Sequence, residues 1–275
     1  TGGCAQYLFQ WNNGATSEDL TGLGAGTYSV TVTDADGCTI SDTFTVTEPS
    51  SLVANGVPAT FSCGFNTTCN GATNGSIDLT VAGGCAPYTF LWSSGATTED
   101  IANLSAGTYD VTVTDANGAT ATATFTLSEP AAVTTVLTPS VFVGGSNLSC
   151  SGANDGSIDL LPGGGCAPYS YAWSSGDVVE DPSGLAAGWQ FVTLTDANGC
   201  TAIDSVLLVA PDTLVATLTP FAFNGGWNIS CNGLSDGFVN LEVTGGSGTY
   251  SYLWSNGSTN QDIQFVAAGT YDVTI

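Results

Sequence analysis

Apolar and polar residues alternate with a period of two along much of this chain. In residues 120–127 threonines separate Ala121, Ala123, Phe125 and Leu127, which puts one face against a core and the other in water, as in a half-buried strand. In residues 107–118 the same step places Tyr109, Val111 and Val113 on one face and ends on Asn117-Gly118, a strong hairpin signal. Residues 75–81 predict a strand after a Gly-rich turn. The run YTFLWS brings Tyr88, Phe90 and Trp92 to one face. Residues 52–61 predict an edge strand, and Glu129-Pro130 closes the unit, where a proline suits a strand or domain boundary. No segment carries a helical period. Six or seven short strands in 81 residues predict an all-β fold, a small immunoglobulin-like antiparallel β-sandwich.

That unit recurs without insertion or deletion. Trp11, Trp92, Trp173 and Trp254 are each 81 residues apart, and so are Asp34, Asp115 and Asp196, and Pro49, Pro130 and Pro211. Gly-Gly pairs beginning at Gly2, Gly83, Gly164 and Gly245 keep the same step. A fixed period of this kind predicts a tandem array of similar modules, used for reach, adhesion or assembly, and not one large active-site domain. The expected boundaries are 1–50 for the latter part of a first repeat, 51–131 and 132–212 for two whole repeats, and 213–275 for the opening part of a fourth. The chain opens at the Gly2–Gly3 turn and closes within a strand, so it is expected to be a window on a longer array.

Charge narrows the function. The chain has 24 acidic residues and no Lys, Arg or His, a net charge of -24, whereas a typical domain is about 25% charged with both signs present. Nucleic-acid binding, which needs cations against phosphate, is excluded, as is attraction to an anionic membrane surface. Lysine–asparagine crosslinks are impossible, and trypsin-like proteases find no site. Self-repulsion among carboxylates has to be screened by salt or divalent cations. Hydrophobic content is 43%, enough for packed cores, and no apolar run approaches the ~20 residues of a membrane span.

The chemistry-bearing residues are few. The repeated Trp shares its face with neighbouring aromatics and reads as core. Trp189 and Trp227 match no repeat landmark; local repacking is the expected reading of Trp189, which an exposed ring stacking on a sugar would replace. Nine cysteines lie mostly on repeat positions. Cys69, Cys150 and Cys231 precede the first long strand of their units, Cys4, Cys85 and Cys166 sit in the Gly-Gly-Cys turn, and Cys38 and Cys200 follow the acidic turn. Spaced cysteines without CxxC pairs read as disulfides in an oxidising exterior. The favoured pairs are Cys150–Cys200 and Cys63–Cys69; a rival scheme joins Cys166–Cys200 and Cys4–Cys38, and crosslinks between neighbouring units stay open. Asp34 and Asp36, and Asn154, Asp155 and Asp159, are candidate calcium ligands, since hard cations take oxygen from such loops; Asp, Asn and Gly build ordinary turns as well. No cofactor is required. Catalysis lacks a His base or Lys, and Glu99-Asp100 and Glu180-Asp181 read as solvated loops, so no enzyme is expected.

The whole unit, CNGATNGSIDLTVAGGCAPYTFLWSSGATTEDIANLSAGTYDVTVTDANG, resembles the SprB repeat of Bacteroidetes surface proteins. Cys150, Gly156, Pro168, Tyr169, Trp173, Asp196, Gly199 and Cys200 match its pattern in one copy. The extra cysteine in GGCAPY and the lack of Lys and Arg depart from it. The resemblance implies an extracellular, outer-membrane-attached adhesin exported by the type IX secretion system, which in some relatives moves during gliding. In that setting DSV at residues 204–206 and DTL at 212–214 resemble an O-glycosylation pattern, with Ser205 and Thr213 as acceptors.

Two functions follow. One is a stalk or filament shaft whose partners are the neighbouring repeats of the same chain, with lateral self-association through Thr-rich edges that no lysine guards. The other is an array binding surface polysaccharide by avidity, which needs an exposed aromatic at one place in every copy. Neither involves nucleic acid or membrane insertion of this segment.

Overall fold

The computed structural model describes residues 3–275; Gly2, half of the first Gly-Gly pair, lies outside them. The architecture is all-β and antiparallel throughout. The first repeat contributes one sheet, β1 (Leu8–Trp11), β2 (Gly26–Thr33) and β3 (Thr39–Val46), in the order β1-β2-β3. The second is complete: β4 (Val53–Pro58), β5 (Gly75–Ala82), β6 (Thr89–Trp92), β7 (Ile101–Leu104), β8 (Gly107–Thr114) and β9 (Thr120–Leu127). Its two three-stranded sheets run β4-β5-β7 and β6-β8-β9. The third repeats this order with β10 (Thr134–Pro139), β11 (Gly156–Gly163), β12 (Ser170–Trp173), β13 (Ser183–Leu185), β14 (Gly188–Thr195) and β15 (Thr201–Leu208). The fourth shows β16 (Val215–Pro220), β17 (Gly237–Thr244), β18 (Leu253–Trp254), β19 (Ile263–Val266) and β20 (Val273–Thr274).

This strand order is that of an immunoglobulin-like sandwich without its fourth strand, with a buried tryptophan on the third strand. A tyrosine near the start of β8 completes the likeness: Tyr109 Oη donates to the Ser105 carbonyl at 3.0 Å, as Tyr28 does to Gly24 and Tyr271 to Ala267. In the third repeat Gln190 replaces that tyrosine and keeps the bond, Nε2 to Ala186 O at 3.3 Å.

Alternation fixes each strand's inward face. In β9 Ala121, Ala123 and Phe125 are half-buried and Leu127 fully buried, while the threonines face water. β7 and its counterparts, too short to show a period, pair with the long second strand through a register shift at its first residues. The second, third and fourth repeats each have their own core. Ile77, Leu79, Trp92, Ile101, Leu104, Val111, Val113 and Leu127 pack in the second. Leu148, Ile158, Leu160, Trp173, Leu185, Val192 and Leu208 do so in the third, and Leu241, Trp254, Ile263 and Val266 in the fourth.

The compact units do not follow the 81-residue boundaries. One comprises the residues up to Ala59 with Asn74–Leu127, the other Thr60–Thr73 with Ser128–Ile275. The loop Thr60–Thr73 between β4 and β5 joins the second unit because its polar groups are satisfied there. Asn66 N–H donates to Ser128 O at 2.9 Å, and Asn66 Oδ1 accepts Ser128 N–H at 2.9 Å. Glu129 accepts Gly71 N–H at 2.6 Å.

Candidate functional site: a loop-to-turn joint

Two turns at one end of the third repeat are built around a single carboxylate. Asp196 Oδ2 accepts the Cys166 N–H at 2.8 Å, and Oδ1 accepts Asn198 N–H at 2.9 Å and Cys200 N–H at 2.8 Å. Ala197 N–H returns to Cys166 O at 2.8 Å. Asp115 does the same in the second repeat with Cys85, Asn117 and Ala119, each at 2.9 Å. Asp34 in the first holds Cys4, Asp36 and Cys38 at 3.3, 3.0 and 2.8 Å. These donors stabilise the anion, so both carboxyls lie below the ordinary aspartate range, with Cys38 N–H the largest cause for Asp34 and Cys85 N–H for Asp115.

The Gly-Gly pair is forced by backbone packing. Gly164 has φ +66°, and a Cβ on it would stand 1.8 Å from the Ala132 carbonyl oxygen; Gly165 N–H donates to Ala131 O at 2.9 Å. A side chain would push the turn off the strand that follows Pro130.

Against these turns lies the loop Thr60–Thr73, all within the second unit. Cys69 is bonded to Cys200, and Asn198 Nδ2 donates to Thr68 O at 3.0 Å. Cys166, buried, points its thiol at Ser62 O, 3.3 Å away. The covalent link therefore joins a loop of one sequence repeat to a turn of the next. The pairings Cys150–Cys200 and Cys63–Cys69, and the rival Cys166–Cys200, are corrected, because Cys69 and Cys200 are bonded to each other; the rival's other pair, Cys4–Cys38, is not bonded in the structure either. For Cys150 the reason is the length of β11. Cys150 precedes its first residue while Cys166 and Cys200 lie beyond its last, so eight residues of strand, roughly 26 Å, separate them.

The candidate calcium ligands do not converge. Asp34 spends both carboxylate oxygens on backbone N–H groups. Asp155 Oδ1 accepts Ser149 N–H at 3.1 Å, and the Ser149 hydroxyl and N–H hold it below the ordinary range. Asp36, Asn154 and Asp159 are all exposed, Asp159 on β11. Among the described residues no three His, Cys, Asp or Glu side chains gather as ligands would.

Acids read as solvated loops have structural work instead. Asp100, Asp181 and Asp262 each accept, at 2.9 Å, the N–H of a core leucine on the long second strand: Leu79, Leu160 and Leu241. Their 81-residue spacing was the available signal. Asn147, the head of an Asn-Leu-Ser tripeptide, also spends its side chain internally, accepting Val209 N–H at 2.9 Å and donating to Ser140 O at 2.8 Å.

The repeated tryptophans are buried, and Nε1 of each donates to a carbonyl six residues on: Ser17 at 2.8 Å, and Thr98, Val179 and Asn260 at 2.9 Å. Trp189 is exposed, not repacked: it sits beside Phe191 at a ring separation of 6.3 Å on the outer face of β14. The physical cause is the strand's alternation, which turns Gln190 inward. Trp227 is exposed as well. Ser205 is half-buried on β15, and Thr213 is exposed with its hydroxyl 3.1 Å from that of Ser151.

Comparison with known proteins adds the family. Residues 66–97, 146–178 and 228–259 match the SprB repeat. No curated protein sequence matches the chain. Among solved structures, Salmonella alpha-2-macroglobulin reacted with methylamine aligns with 99% of this chain at 9% identity and a TM-score of 0.20. The chain spans 25% of that protein's length, and a likeness this weak transfers neither fold nor function.

Proposed function

The chain belongs to the SprB-repeat family, and from that premise we propose that it is a shaft segment of a large extracellular bacterial surface adhesin, holding an adhesive part away from the cell. SprB repeats are repeat regions of secreted cell-surface proteins and form a structural family, not an enzymatic one. Among the described residues no helix is long and apolar enough to cross a membrane.

The observation that carries the shaft reading is the joint. Successive repeats inside the second unit meet loop to turn, and Cys69–Cys200 makes one such meeting covalent. A module built only to present a binding site needs a flexible linker; a module built to transmit position needs a fixed joint. A polysaccharide-binding array is the weaker reading, because the exposed pair Trp189 and Phe191 occurs in one repeat only. The same positions hold Thr108 and Asp110, Thr27 and Ser29, and Thr270 and Asp272 elsewhere, and avidity needs repetition. Export by the type IX system, service in attachment or gliding, and side-by-side association of shafts through their sheet edges belong to this proposal.

Electron microscopy of the native protein, taken from the cell surface without renaturation, tests it. Threads with a regular axial step of one repeat, roughly 30–40 Å by compact-domain scaling, are expected. Modules scattered at irregular angles would overturn the shaft reading, and a glycan-binding screen would then be the next assay.

A further inference from the structure

We propose that Cys63 and Cys166 form a second disulfide across the joint, beside Cys69–Cys200, so that both turn cysteines of the third repeat are bonded to the loop Thr60–Thr73. This goes beyond the shaft reading and holds whatever the array carries.

Three independent observations converge on this pair. First, the buried Cys166 thiol reaches Ser62 O at 3.3 Å, the carbonyl of the residue preceding Cys63. The structure leaves both cysteines unbonded, and the pKa of the Cys166 thiol is pushed up to about 11, first by its hydrogen bond with the Cys63 side chain and then by burial. Second, the next joint brings the equivalent positions together without the sulfurs. Gly144 and Ser247 lie 81 residues after Cys63 and Cys166, and a Cβ built on Gly144 would stand 3.5 Å from the Ser247 Cβ, with the Ser247 carbonyl oxygen at 3.1 Å and Cα at 3.4 Å. Disulfides bridge Cβ atoms about 3.5–4.5 Å apart. Cysteine occupies both positions at one joint and neither at the other. Third, Cys63 has φ +63°, a left-handed conformation that side chains rarely adopt. Its counterparts are Gly144 and Gly225, at φ +89° and +94°. A cysteine kept at a glycine position points to use of its sulfur.

The chemistry is thiol–disulfide exchange. The exposed Cys63 thiolate attacks the disulfide of an oxidant of the thiol-oxidase class, forming a mixed disulfide and releasing one oxidant thiol. The Cys166 sulfur, losing its proton, then displaces the second oxidant thiol. Two S–H bonds break and one intramolecular S–S bond forms, while the oxidant disulfide takes up two electrons and two protons as a dithiol. Burial of Cys166 leaves Cys63 the route by which it is oxidised.

The test is peptide mapping of the native protein alkylated during isolation. Trypsin has no site in this chain, so chymotrypsin is used: cleavage after Phe65 separates Cys63 from Cys69, and cleavage after Tyr169 and Trp173 separates Cys166 from Cys200. A Cys63–Cys166 linked peptide that disappears on reduction is expected, alongside Cys69–Cys200. Alkylated Cys63 or Cys166 with Cys69–Cys200 intact would overturn the proposal, as would Cys63 bonded to any other residue. Cys63→Ser, which keeps a side chain at the same φ, is expected to lower the melting temperature of the oxidised protein and leave the reduced protein unchanged; an equal change in both states would refute the link. The double variant Gly144→Cys with Ser247→Cys is expected to crosslink on oxidation, and its failure to do so would refute the shared geometry.

Discussion

Replacing Trp92 tests whether each repeat stands on its own core. Its indole is 2% exposed and lies against Phe125 at a ring separation of 5.9 Å. Truncation to alanine in a core costs about 3–5 kcal/mol. A domain of about 80 residues holds about 4–12 kcal/mol in total, so Trp92→Ala should leave the second repeat near its unfolding midpoint. Trp92→Phe keeps an aromatic ring beside Phe125 but loses the 2.9 Å bond from Nε1 to Thr98 O. Thr98 is exposed and its carbonyl can turn to water, so this change should cost only about 1–2 kcal/mol. Because the buried residues of the second, third and fourth repeats form separate clusters, the damage should stay local, as in arrays whose repeats couple only to neighbours. Hydrogen exchange read by peptic peptides in increasing urea is the assay. Peptides from β5, β8 and β9 should lose protection in Trp92→Ala while those from β14 and β15 keep theirs. A cost below about 1 kcal/mol, or equal loss in β14, would refute the separate-core argument.

Three further outcomes are expected. The carboxyls of Asp34, Asp115, Asp155 and Asp236 lie below the aspartate value of 3.8 in the folded chain, so their stabilisation is complete above that pH and lost as pH falls below it; urea midpoints from pH 5 to pH 2 should drop, and Asp115→Asn should flatten part of the drop. Gly164→Ala, with φ +66° and a Cβ 1.8 Å from Ala132 O, should cost well over the ~1 kcal/mol expected of Gly176→Ala, where φ is +92° but no atom lies within 4 Å; equal losses by chemical denaturation would show that the turn relaxes freely. With a net charge of -24 and no cationic side chain, the melting temperature should rise with added sodium chloride, and a flat response would mean the carboxylates are too dispersed to repel.

Much of the sandwich was legible because its signals are local. The alternation in residues 120–127 is the inward and outward face of β9, and the Trp, Tyr and Phe spacing before residue 93 is β6 approaching the core. β7 escaped because a four-residue strand has no measurable period. The Asp100 bond to Leu79 escaped because an Asp beside a Glu in a polar stretch reads the same whether or not its carboxylate finds a backbone donor. The disulfide partner escaped for a different reason. Reading within one repeat puts Cys150 with Cys200, but the strand between them holds them at opposite ends. The true partner, Cys69, occupies the position of Cys150 one period earlier, and a perfect repeat conceals which copy a residue answers to.

The bond between Cys69 and Cys200 also changes how the chain answers a pull. They are separated by 131 residues in sequence, so tension applied beyond the two cysteines passes from one sulfur to the other and bypasses the polypeptide between them. At roughly 3.4 Å per residue, about 450 Å of slack is locked away. The segment that holds the whole second core never bears that load, and a tether built this way stays short under drag until a covalent bond breaks or is reduced.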